Sequence, residues 1–549
     1  MMTRSDGDLS IMIRRKGLAR ATCLALLAVA AASCSGTLPA GQPMASAAPE
    51  PRLPNIVIFY ADDLGYGDLG SYGAEGLPTP QVDRLAQEGV RFTDAHATAA
   101  TCTPSRYSLL TGEYGFRSQA EILPGDAPAL IRPDKFTIAD MLKEQGYTTG
   151  VVGKWHLGLG DGKVDWNAEI KPGPLEIGFD YSFLLPSTMD RVPTVYLENH
   201  QVIGLDPADP LSVSYTGKIG DRPTGTENPE QLRFKADRQH SDSIVNGVSR
   251  IGYMKGGKAA EWVDEELYEV VTGKAVNFIR TNREKPFFLF MPLHDPHVPR
   301  LPAKQFQGAT TMGPRGDSIV QMDWMTGQVV AELERLGIAE NTLVIFTSDN
   351  GPVLNDGYED GAVEMLGSHK PAGVLRGGKY SAFEAGTRVP TIAWWPGRIR
   401  PSVSNALLTQ VDLFASLAAL AGASLSDDVA IDSQNLLSAW LGQTGEGRNY
   451  LFKESVAGFA IREGSLKYIA PMRNPEQAAF VAGKGIESAA SRQPQLYDLT
   501  NDLGERQNLA DSRKADTTRL AAILAQIEAR TRAETDRSRA ETERSKGAQ

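Results

Sequence analysis

Four short apolar runs along the chain are each followed by polar or charged residues. We predict strands over residues 56–60, 148–152, 287–291 and 343–347, because β-branched and aromatic runs of this length are typical of strands covered on both faces. A segment with helical periodicity precedes each of the last three strands. Repeated alternation of helix and apolar strand predicts an α/β fold with a large mixed, mostly parallel sheet flanked by helices.

The hydrophobic pattern changes near the C-terminus. Short runs such as YLFKES and FAIREGSLKYIA, separated by polar turns, predict a smaller α+β domain with an antiparallel sheet. From Asp516 the pattern is helical, and its apolar face ends after Ile527, where we expect a charged, fraying tail. We place the two domains at residues 52–445 and 446–549.

One internal stretch shows neither the helical nor the strand pattern of apolar residues. Residues 186–257 are rich in Pro, Gly, Asp and Ser. Long irregular segments inside a compact domain are usually functional. We interpret this stretch as an insertion that lies over the sheet edge and shapes a substrate site.

The first 48 residues have the pattern of an export signal and linker. A basic region precedes a short apolar core over residues 24–32, which is too short for a membrane-spanning helix of about 20 residues. Two cleavage sites stay open: AASC would give a lipoprotein with a lipid anchor at Cys34, and ASA before Ala48 would suit an ordinary signal peptidase. We expect an exported protein, either periplasmic, attached at the outer membrane or cell surface, or secreted.

Charge and cysteine content narrow the chemistry. The chain has 549 residues and a net charge of −11, without the basic footprint that nucleic-acid binding requires. Of its three cysteines, only Cys102 lies beyond the leader, apart from Cys34 if that residue is lipidated. No intramolecular disulfide framework is therefore available, although export would permit one. A lone thiol in the stretch TCTPSR needs a chemical explanation.

Polar side chains gather where the predicted strands end. These residues are Asp62, Asp63, Lys154, His156, His294, Asp349 and Asn350. Open α/β sheets bind ligands at the carboxyl ends of their strands, so we expect these side chains to converge. Carboxylate and amide oxygens are hard ligands, which suit calcium or magnesium rather than zinc.

Five motifs in order carry a family resemblance. They are ADDLG, CTPSR followed by LLTG, GKWHLG, SDNG and GGKYSAFEAGTRVP. With them, the chain from about Pro54 to Asp498 resembles the type I, formylglycine-dependent sulfatases, the arylsulfatase family of the alkaline phosphatase superfamily. The resemblance implies an alkaline-phosphatase-like fold and sulfuric ester hydrolase activity.

The resemblance also implies the role of Cys102. A separate formylglycine-generating enzyme would convert it to formylglycine, whose hydrated form attacks the sulfur of the ester. The implied metal is Ca²⁺, held by Asp62, Asp63, Asp349, Asn350 and the modified Cys102. By the same resemblance, Arg106 would hold the formylglycine diol, and Lys154 and Lys379 would bind sulfate oxygens. His156 would accept a proton during release of sulfate, and either His294 or Lys379 would be the general acid for the leaving oxygen.

A looser resemblance concerns the substrate. The stretch IVNGVSRIGYMKGGKAAEWVDE, residues 244–265, is similar to exported bacterial sulfatases that remove 6-O-sulfate from galactose or N-acetylgalactosamine units. We therefore expect an exo-acting enzyme on sulfated glycan oligosaccharides. The candidate substrate contacts are Asp190, Arg191, His297 and His369, and ordinary loop residues are the competing interpretation. His96 and His200 match no motif and are interpreted as structural.

Three other functions stay open at this point. The first is an arylsulfatase with another glycan specificity. The second is a phosphonate or phosphate ester hydrolase of the same superfamily, because tetrahedral anions share their geometry. The third is a glycan-binding protein without activity, which would result if Cys102 were never converted. The oligomeric state does not follow from the sequence.

Overall fold

A computed structural model describes residues 52–473 and 475–546. The export signal predicted over residues 1–48, including Cys34, lies outside the described residues. The strands are β1 (Asn55–Ala61), β2 (Val90–Phe92), β3 (Ala95–His96), β4 (Thr148–Lys154), β5 (Tyr181–Leu185), β6 (Leu197–Glu198), β7 (Gln201–Val202), β8 (Ser212–Ser214), β9 (Ile244–Val245), β10 (Val248–Ser249), β11 (Tyr253–Lys255), β12 (Phe287–Pro292), β13 (Thr342–Ser348), β14 (Thr391–Trp394), β15 (Ser402–Ser404), β16 (Leu408–Thr409), β17 (Tyr450–Ser455), β18 (Gly458–Glu463), β19 (Leu466–Ile469) and β20 (Gln495–Asp498). The α-helices are α1 (Pro80–Glu88), α2 (Cys102–Thr111), α3 (Ile138–Glu144), α4 (Leu267–Asn282), α5 (Gly313–Arg335), α6 (Glu384–Thr387), α7 (Leu413–Ala421), α8 (Leu437–Trp440), α9 (Pro475–Gly483) and α10 (Lys514–Lys546).

A large mixed sheet organises the described part of the chain. Its strand order is β15-β2-β14-β13-β1-β12-β4-β5-β6-β7. The five central strands, from β13 to β5, run parallel, whereas β14, β6 and β7 pair antiparallel with their neighbours. The predicted fold class is confirmed, and each of the four predicted strands is one or two residues longer than expected.

The central strand β1 explains why the sheet needs helices on both faces. All seven of its residues are buried, and successive side chains in a strand point to opposite faces. Ile56 and Ile58 pack in a cluster with residues of α2, α3 and α7. Val57 and Phe59 pack in a second cluster with residues of α1, α4 and α5. Helices therefore cover both faces of β1.

The predicted C-terminal antiparallel sheet is present as β17-β18-β19-β20. Leu520 and Leu524 of α10 are buried in a cluster with residues of this sheet, and the α10 backbone stays helical past Ile527 rather than fraying there. The described residues from Arg52 onward form one compact unit. The boundary placed at residue 445 falls between α8 and β17. Among the described residues, no helix combines the length and the apolar character that crossing a membrane requires.

Buried ion pairs connect the small sheet to the rest of the molecule. Arg462 of β18 donates to both oxygens of Asp94 at 2.7 and 2.6 Å. Lys453 of β17 donates to Glu384 at 2.7 Å. His96 lies in the same cluster, with Nε2 3.0 Å from Asp94 Oδ1. This confirms contacts of a structural kind for His96.

His96 is expected to make the fold sensitive to acid. Burial lowers the pKa of His96 to about 4 despite the hydrogen bond with Asp94. The unfolded chain therefore takes up a proton as the pH falls below about 6.5, whereas the folded chain does not, and stability is lost as the pH falls towards 4. In the His96→Gln variant, the free energy of unfolding should fall less steeply with decreasing pH over this range. The slopes of the two proteins should differ by about 1.4 kcal/mol per pH unit, which is the contribution of one titrating group. Urea titrations at several pH values measure the slope, and parallel curves for the two proteins would contradict the assignment.

Candidate active site

Four neighbouring parallel strands bring the predicted site residues together. Asp62 and Asp63 follow β1, Lys154 is the last residue of β4, and Asp349 and Asn350 follow β13. Because these strands and β12 are adjacent and parallel, their carboxyl ends meet at one edge of the sheet. The convergence predicted from the sequence is confirmed for these residues.

Three carboxylates form a buried oxygen cluster at this edge. Asp62, Asp63 and Asp349 each offer an oxygen within 4.8 Å of the others. Asn350 donates Nδ2 to Asp63 Oδ1 at 2.7 Å. Asp62 Oδ1 and Asn350 Oδ1 are buried, and neither has a hydrogen-bond partner among the described residues. Unsatisfied buried oxygens beside carboxylates fit a hard divalent cation such as Ca²⁺ or Mg²⁺.

Two buried cations balance the charge of this cluster. Arg106 Nη2 lies 2.8 Å from Asp62 Oδ2 and 2.7 Å from Asp349 Oδ2, and Lys154 Nζ also pairs with Asp62. Burial opposes ionisation of Asp62, but Lys154 and Arg106 outweigh it and hold the pKa of this carboxyl below its usual value. The cost of burying Asp63 is offset less by neighbouring cations, and burial raises the pKa of this carboxyl to about 7.

Local backbone conformations help to orient the side chains of the site. Asp63 and His156 have φ angles of 62° and 55°, in the left-handed region that residues with a Cβ rarely adopt outside functional sites. Gly153 has φ 137°, and a Cβ there would lie 1.9 Å from the carbonyl oxygen of Pro292. A Cβ on Gly351 would lie 1.6 Å from the carbonyl oxygen of Ala385. Glycine at these two positions therefore permits the close packing of the GKWHLG and SDNG motifs.

Cys102 is the first residue of α2 and is 1 % exposed. Burial raises the pKa of its thiol to about 12, although Lys154 and Lys379 favour the thiolate. Such a group is almost wholly protonated at neutral pH and is a poor thiol nucleophile. The environment thus argues against thiol catalysis and is consistent with a different use of this side chain.

Cys102 opens onto a cavity of about 310 Å³, a volume at the small end of the range for ligand pockets. His156, His297 and Lys379 line it together with Cys102. The insertion predicted over residues 186–257 also contributes to the wall, as expected. Three ionisable candidate side chains therefore share one cavity with Cys102.

The hydrogen bonds of two histidines fix which ring nitrogen is free. His156 Nε2 lies 3.0 Å from the carbonyl oxygen of Leu123, so Nε2 carries the proton. Its Nδ1 is buried without a partner among the described residues and is available as a proton acceptor. His297 Nδ1 lies 2.6 Å from the carbonyl oxygen of Val298, which leaves Nε2 unprotonated. Burial and the nearby Lys154 lower the pKa of both rings.

His294 differs in position from its neighbour His297. It is absent from the cavity wall, which His297 forms instead, and the two ring centroids are 5.5 Å apart. Burial and Lys154 lower the pKa of His294 to about 3. The dipeptide between these histidines turns the chain, so that the second ring faces the cavity. The role of His294 near the leaving oxygen therefore stays a prediction from the resemblance.

Lys379 joins the oxygen cluster to a carboxylate that the sequence analysis missed. Its Nζ lies 2.9 Å from Asp63 Oδ2 and 3.0 Å from Asp356 Oδ2. Burial disfavours the ammonium, but Asp356 and Asp63 raise the pKa of Lys379 well above its ordinary value. The side chain is therefore a firmly protonated cation in the cavity.

Two of the candidate substrate contacts lie in the wall formed by the insertion. Arg191 Nη1 donates to the two oxygens of Asp190 at 3.0 and 2.8 Å, and His240 Nε2 lies 3.3 Å from Asp190 Oδ2. All three residues line the cavity. Burial opposes protonation of His240, but Asp190 and Asp237 raise its pKa. A wall that combines an ion pair with a histidine in this way offers hydrogen-bond donors and acceptors to a polyhydroxylated ligand.

His369 is not among the residues that line this cavity, and its contact with substrate stays a prediction. Its Nε2 is 2.8 Å from Asp68 Oδ1, and Arg315 also donates to Asp68 at 2.9 and 2.6 Å. The loop that carries His369 is anchored by this cluster. A structural role follows from these contacts.

Replacing His369 is expected to affect stability rather than turnover. The His369→Ala variant loses one hydrogen bond to a buried carboxylate, which Arg315 still compensates. The free energy of unfolding should fall by about 1–2 kcal/mol. With the sulfate esters implied by the sequence resemblance as substrates, kcat/KM should stay within about twofold of the wild type. A rise in KM without a change in stability would instead indicate that His369 contacts the substrate.

Several residues of the cavity wall had no sequence signal. Asp356, Tyr380, His240, Phe480 and Lys484 line it, although they come from irregular loops or from the segment that contains α9. No fixed spacing links such positions to the motifs. The GGKY stretch is a partial exception, because Tyr380 directly follows Lys379.

Comparisons with known proteins agree with this geometry. Residues 54–423 match the protein family described as Sulfatase. The chain is 48% identical to an N-acetylgalactosamine-6-O-sulfatase of Bacteroides thetaiotaomicron, over 87% of this chain and 94% of that protein. It is 32% identical to arylsulfatase A of Bos taurus, over 87% of this chain and 86% of that protein. A solved structure of a sulfatase from the glycosaminoglycan metabolism of Bacteroides thetaiotaomicron matches with a TM-score of 0.85 and 48% identity, over 87% of this chain and 100% of that one.

Proposed function

This chain belongs to the sulfatase family of the alkaline phosphatase superfamily and is a sulfuric ester hydrolase, and we propose that it removes 6-O-sulfate from N-acetylgalactosamine or galactose units of sulfated glycans. The observation that carries the proposal is the single cavity in which Cys102 lies with His156 and Lys379, beside a buried oxygen cluster. The similarity to the Bacteroides N-acetylgalactosamine-6-O-sulfatase over most of the chain supports the substrate class.

The oxygen cluster would hold Ca²⁺ through Asp62, Asp63, Asp349 and Asn350, with the modified Cys102 as a further ligand. The unpartnered oxygens of Asp62 and Asn350 support this assignment. A bound divalent cation would stabilise negative charge on the nucleophile and on the sulfate group. Arg106 and Lys154 pair with Asp62 and Asp349, and Lys379 pairs with Asp63, which accounts for the burial of three acids at one point.

Formylglycine, formed from Cys102 by a separate generating enzyme, would supply the hydroxyl nucleophile. Because Cys102 is buried and its thiol has a raised pKa, the unmodified side chain contributes little reactivity of its own. The free Nδ1 of His156 would accept a proton from the group at position 102. Arg106, at the next turn of α2, would keep the surrounding carboxylates in place.

Lys379 is the better of the two candidate proton donors. It lines the cavity and holds a proton, whereas His294 does not line the cavity and His297 has a lowered pKa. We therefore assign the general acid at the leaving oxygen to Lys379. His297 Nε2 would accept a hydrogen bond from the substrate near that oxygen.

The size of the cavity supports action at chain ends. A volume of about 310 Å³ suits one sulfated sugar rather than a continuous polymer. Asp190 and Arg191 would contact the hydroxyl groups of that sugar. Export to the periplasm, the outer membrane or the medium would bring the enzyme to oligosaccharides too large to enter the cytoplasm readily, with a lipid anchor at Cys34 as one route.

The proposal is tested with protein produced in a host that converts Cys102, as verified by mass spectrometry of the peptide that contains it. Initial rates should be compared on N-acetylgalactosamine oligosaccharides sulfated at O6 and at O4, on 6-O-sulfated N-acetylglucosamine, and on matched aryl sulfate and aryl phosphate. We expect the highest kcat/KM on the 6-O-sulfated galacto sugar. A higher value on another sulfated sugar would overturn the substrate assignment, and a higher value on the phosphate would overturn the reaction class.

A further inference from the structure

An aromatic side chain lies at the rim of the catalytic cavity without a role in the chemistry. Phe480 is 47 % exposed, yet it lines the same cavity as Cys102 and His156. Exposing a phenyl ring to water is unfavourable unless something else covers it. Its position at a ligand site makes this ring a candidate contact for the ligand.

The connection between β19 and β20 is unusually long, and it carries Phe480 to the cavity. β19 and β20 are adjacent and antiparallel, so a tight turn would be enough to join them. The chain instead leaves the sheet after Ile469, forms α9, which contains Phe480, and returns at Gln495. Long connections in compact domains are commonly functional. Through this connection, the C-terminal domain contributes Phe480 to the cavity wall.

Contacts with Lys484 and Tyr380 hold the ring in a defined position. The Lys484 ammonium lies over the ring, 4.9 Å from its centroid, and Nζ is also 3.0 Å from Asp356 Oδ1. Tyr380 packs edge-to-face against Phe480, with the centroids 6.2 Å apart and an interplanar angle of 79°. Asp356 also binds Lys379. The ring is therefore anchored to the catalytic wall, while nearly half of its surface stays uncovered.

We propose that Phe480 is a stacking platform for the sugar next to the sulfated one. This inference rests on the proposed function, because it assumes a glycan substrate. The cavity has room for one sulfated sugar, and Cys102 lies in its interior at 1 % exposure. A second pyranose joined to the first must emerge at the rim. The C–H groups on one face of a pyranose form an apolar surface that stacks on an aromatic ring, as apolar groups do on aromatic faces generally.

The platform gives the enzyme a preference for oligosaccharides over monosaccharides. Stacking at the rim adds binding energy only when a second sugar is present. Because this contact lies far from the reacting bond, it binds substrate and transition state equally, and it acts on KM rather than on kcat. Phe480 is a specificity-determining residue in this sense and not a catalytic one.

The test compares two substrates that carry the same sulfate ester. One is the 6-O-sulfated N-acetylgalactosamine monosaccharide, and the other is a trisaccharide with that unit at its non-reducing end. For Phe480→Ala, we expect KM on the trisaccharide to rise about fivefold, with kcat unchanged and with wild-type kinetics on the monosaccharide. Phe480→Tyr should retain the wild-type KM, because tyrosine offers the same ring face.

Tyr450→Ala is the matched control, since it removes an exposed aromatic residue, 39 % exposed, from β17 of the C-terminal sheet. It should leave both substrates unaffected. Equal losses on the two substrates, or no loss on either, would overturn the platform while leaving the proposed function intact. If the wild-type enzyme cleaves an aryl sulfate but neither sugar, the proposed substrate is wrong, and the platform is wrong with it.

Discussion

The Cys102→Ala variant is expected to lose at least about 10⁴-fold in kcat for sulfate ester hydrolysis while folding normally. Alanine cannot be converted to formylglycine, so the group that attacks sulfur is missing. The rest of the site stays in place, because Arg106 donates directly to Asp62 and Asp349. The same loss is expected for the wild-type sequence produced in a host that does not convert the cysteine.

Three measurements make this prediction specific. The thermal midpoint of Cys102→Ala shows whether the fold survives. Its calcium affinity should fall, because one proposed ligand is missing, but binding should persist through the carboxylates. Mass spectrometry of the wild-type peptide reports the fraction of Cys102 that has been converted, and kcat should scale with this fraction. If kcat is independent of conversion, or if Cys102→Ala keeps more than about one per cent of the activity, the nucleophile is another group.

The sequence predicts the site best where regular structure places it. The proximity of Asp62, Lys154 and Asp349 could be predicted, because parallel strands present their carboxyl ends at one edge of a sheet. The apolar runs that mark those strands are also unambiguous. The family motifs then added roles that periodicity cannot supply. Cys102 and Arg106 belong to this second group, since nothing in hydrophobic patterning distinguishes α2 from an ordinary buried helix.

The sequence predicts the site less well where the backbone is irregular, because such segments have no periodic pattern that fixes where a side chain points. His294 and His297 are three residues apart, and only the conformation of the HDPH turn determines which ring faces the cavity. His369 lies in a loop whose position follows from the buried pairing of Asp68 with Arg315. Asp356 and Phe480 come from connections whose length sets no register with any strand. Their positions are products of tertiary packing, and one sequence carries no periodic signal for them.

Charge compensation connects the fold to the chemistry. Asp62 interacts with both Arg106 and Lys154, and Asp63 interacts with Lys379. Leaving a buried charge without its partner costs several kcal/mol, so these pairs offset the burial of the carboxylates, most completely at Asp62, whose pKa is lowered. A divalent cation that binds here joins an electrostatically balanced site. The lysines would then be freed in part to interact with sulfate oxygens.

Replacing Asp349 with asparagine is expected to weaken calcium binding by about 10²–10³-fold and to reduce kcat/KM by a similar factor at limiting calcium. The substitution keeps the size of the side chain but removes one of three negative charges from the cluster. Arg106 keeps its pairing with Asp62, so the fold should survive. Excess calcium should restore part of the activity, because the remaining ligands still form a weakened site.

Chelation and a control variant separate a metal effect from a folding effect. Wild-type enzyme treated with EDTA should lose activity and regain it on addition of calcium, with the affinity measured by calorimetry. Asp323→Asn is the matched control, because Asp323 is a buried carboxylate of α5 whose oxygens accept backbone N–H groups of Gln81 and Val82, away from the oxygen cluster. It should bind calcium as the wild type does. If Asp349→Asn also binds calcium with wild-type affinity, the oxygen cluster at the strand ends is not the metal site, and the three carboxylates serve only to hold Arg106 and the lysines.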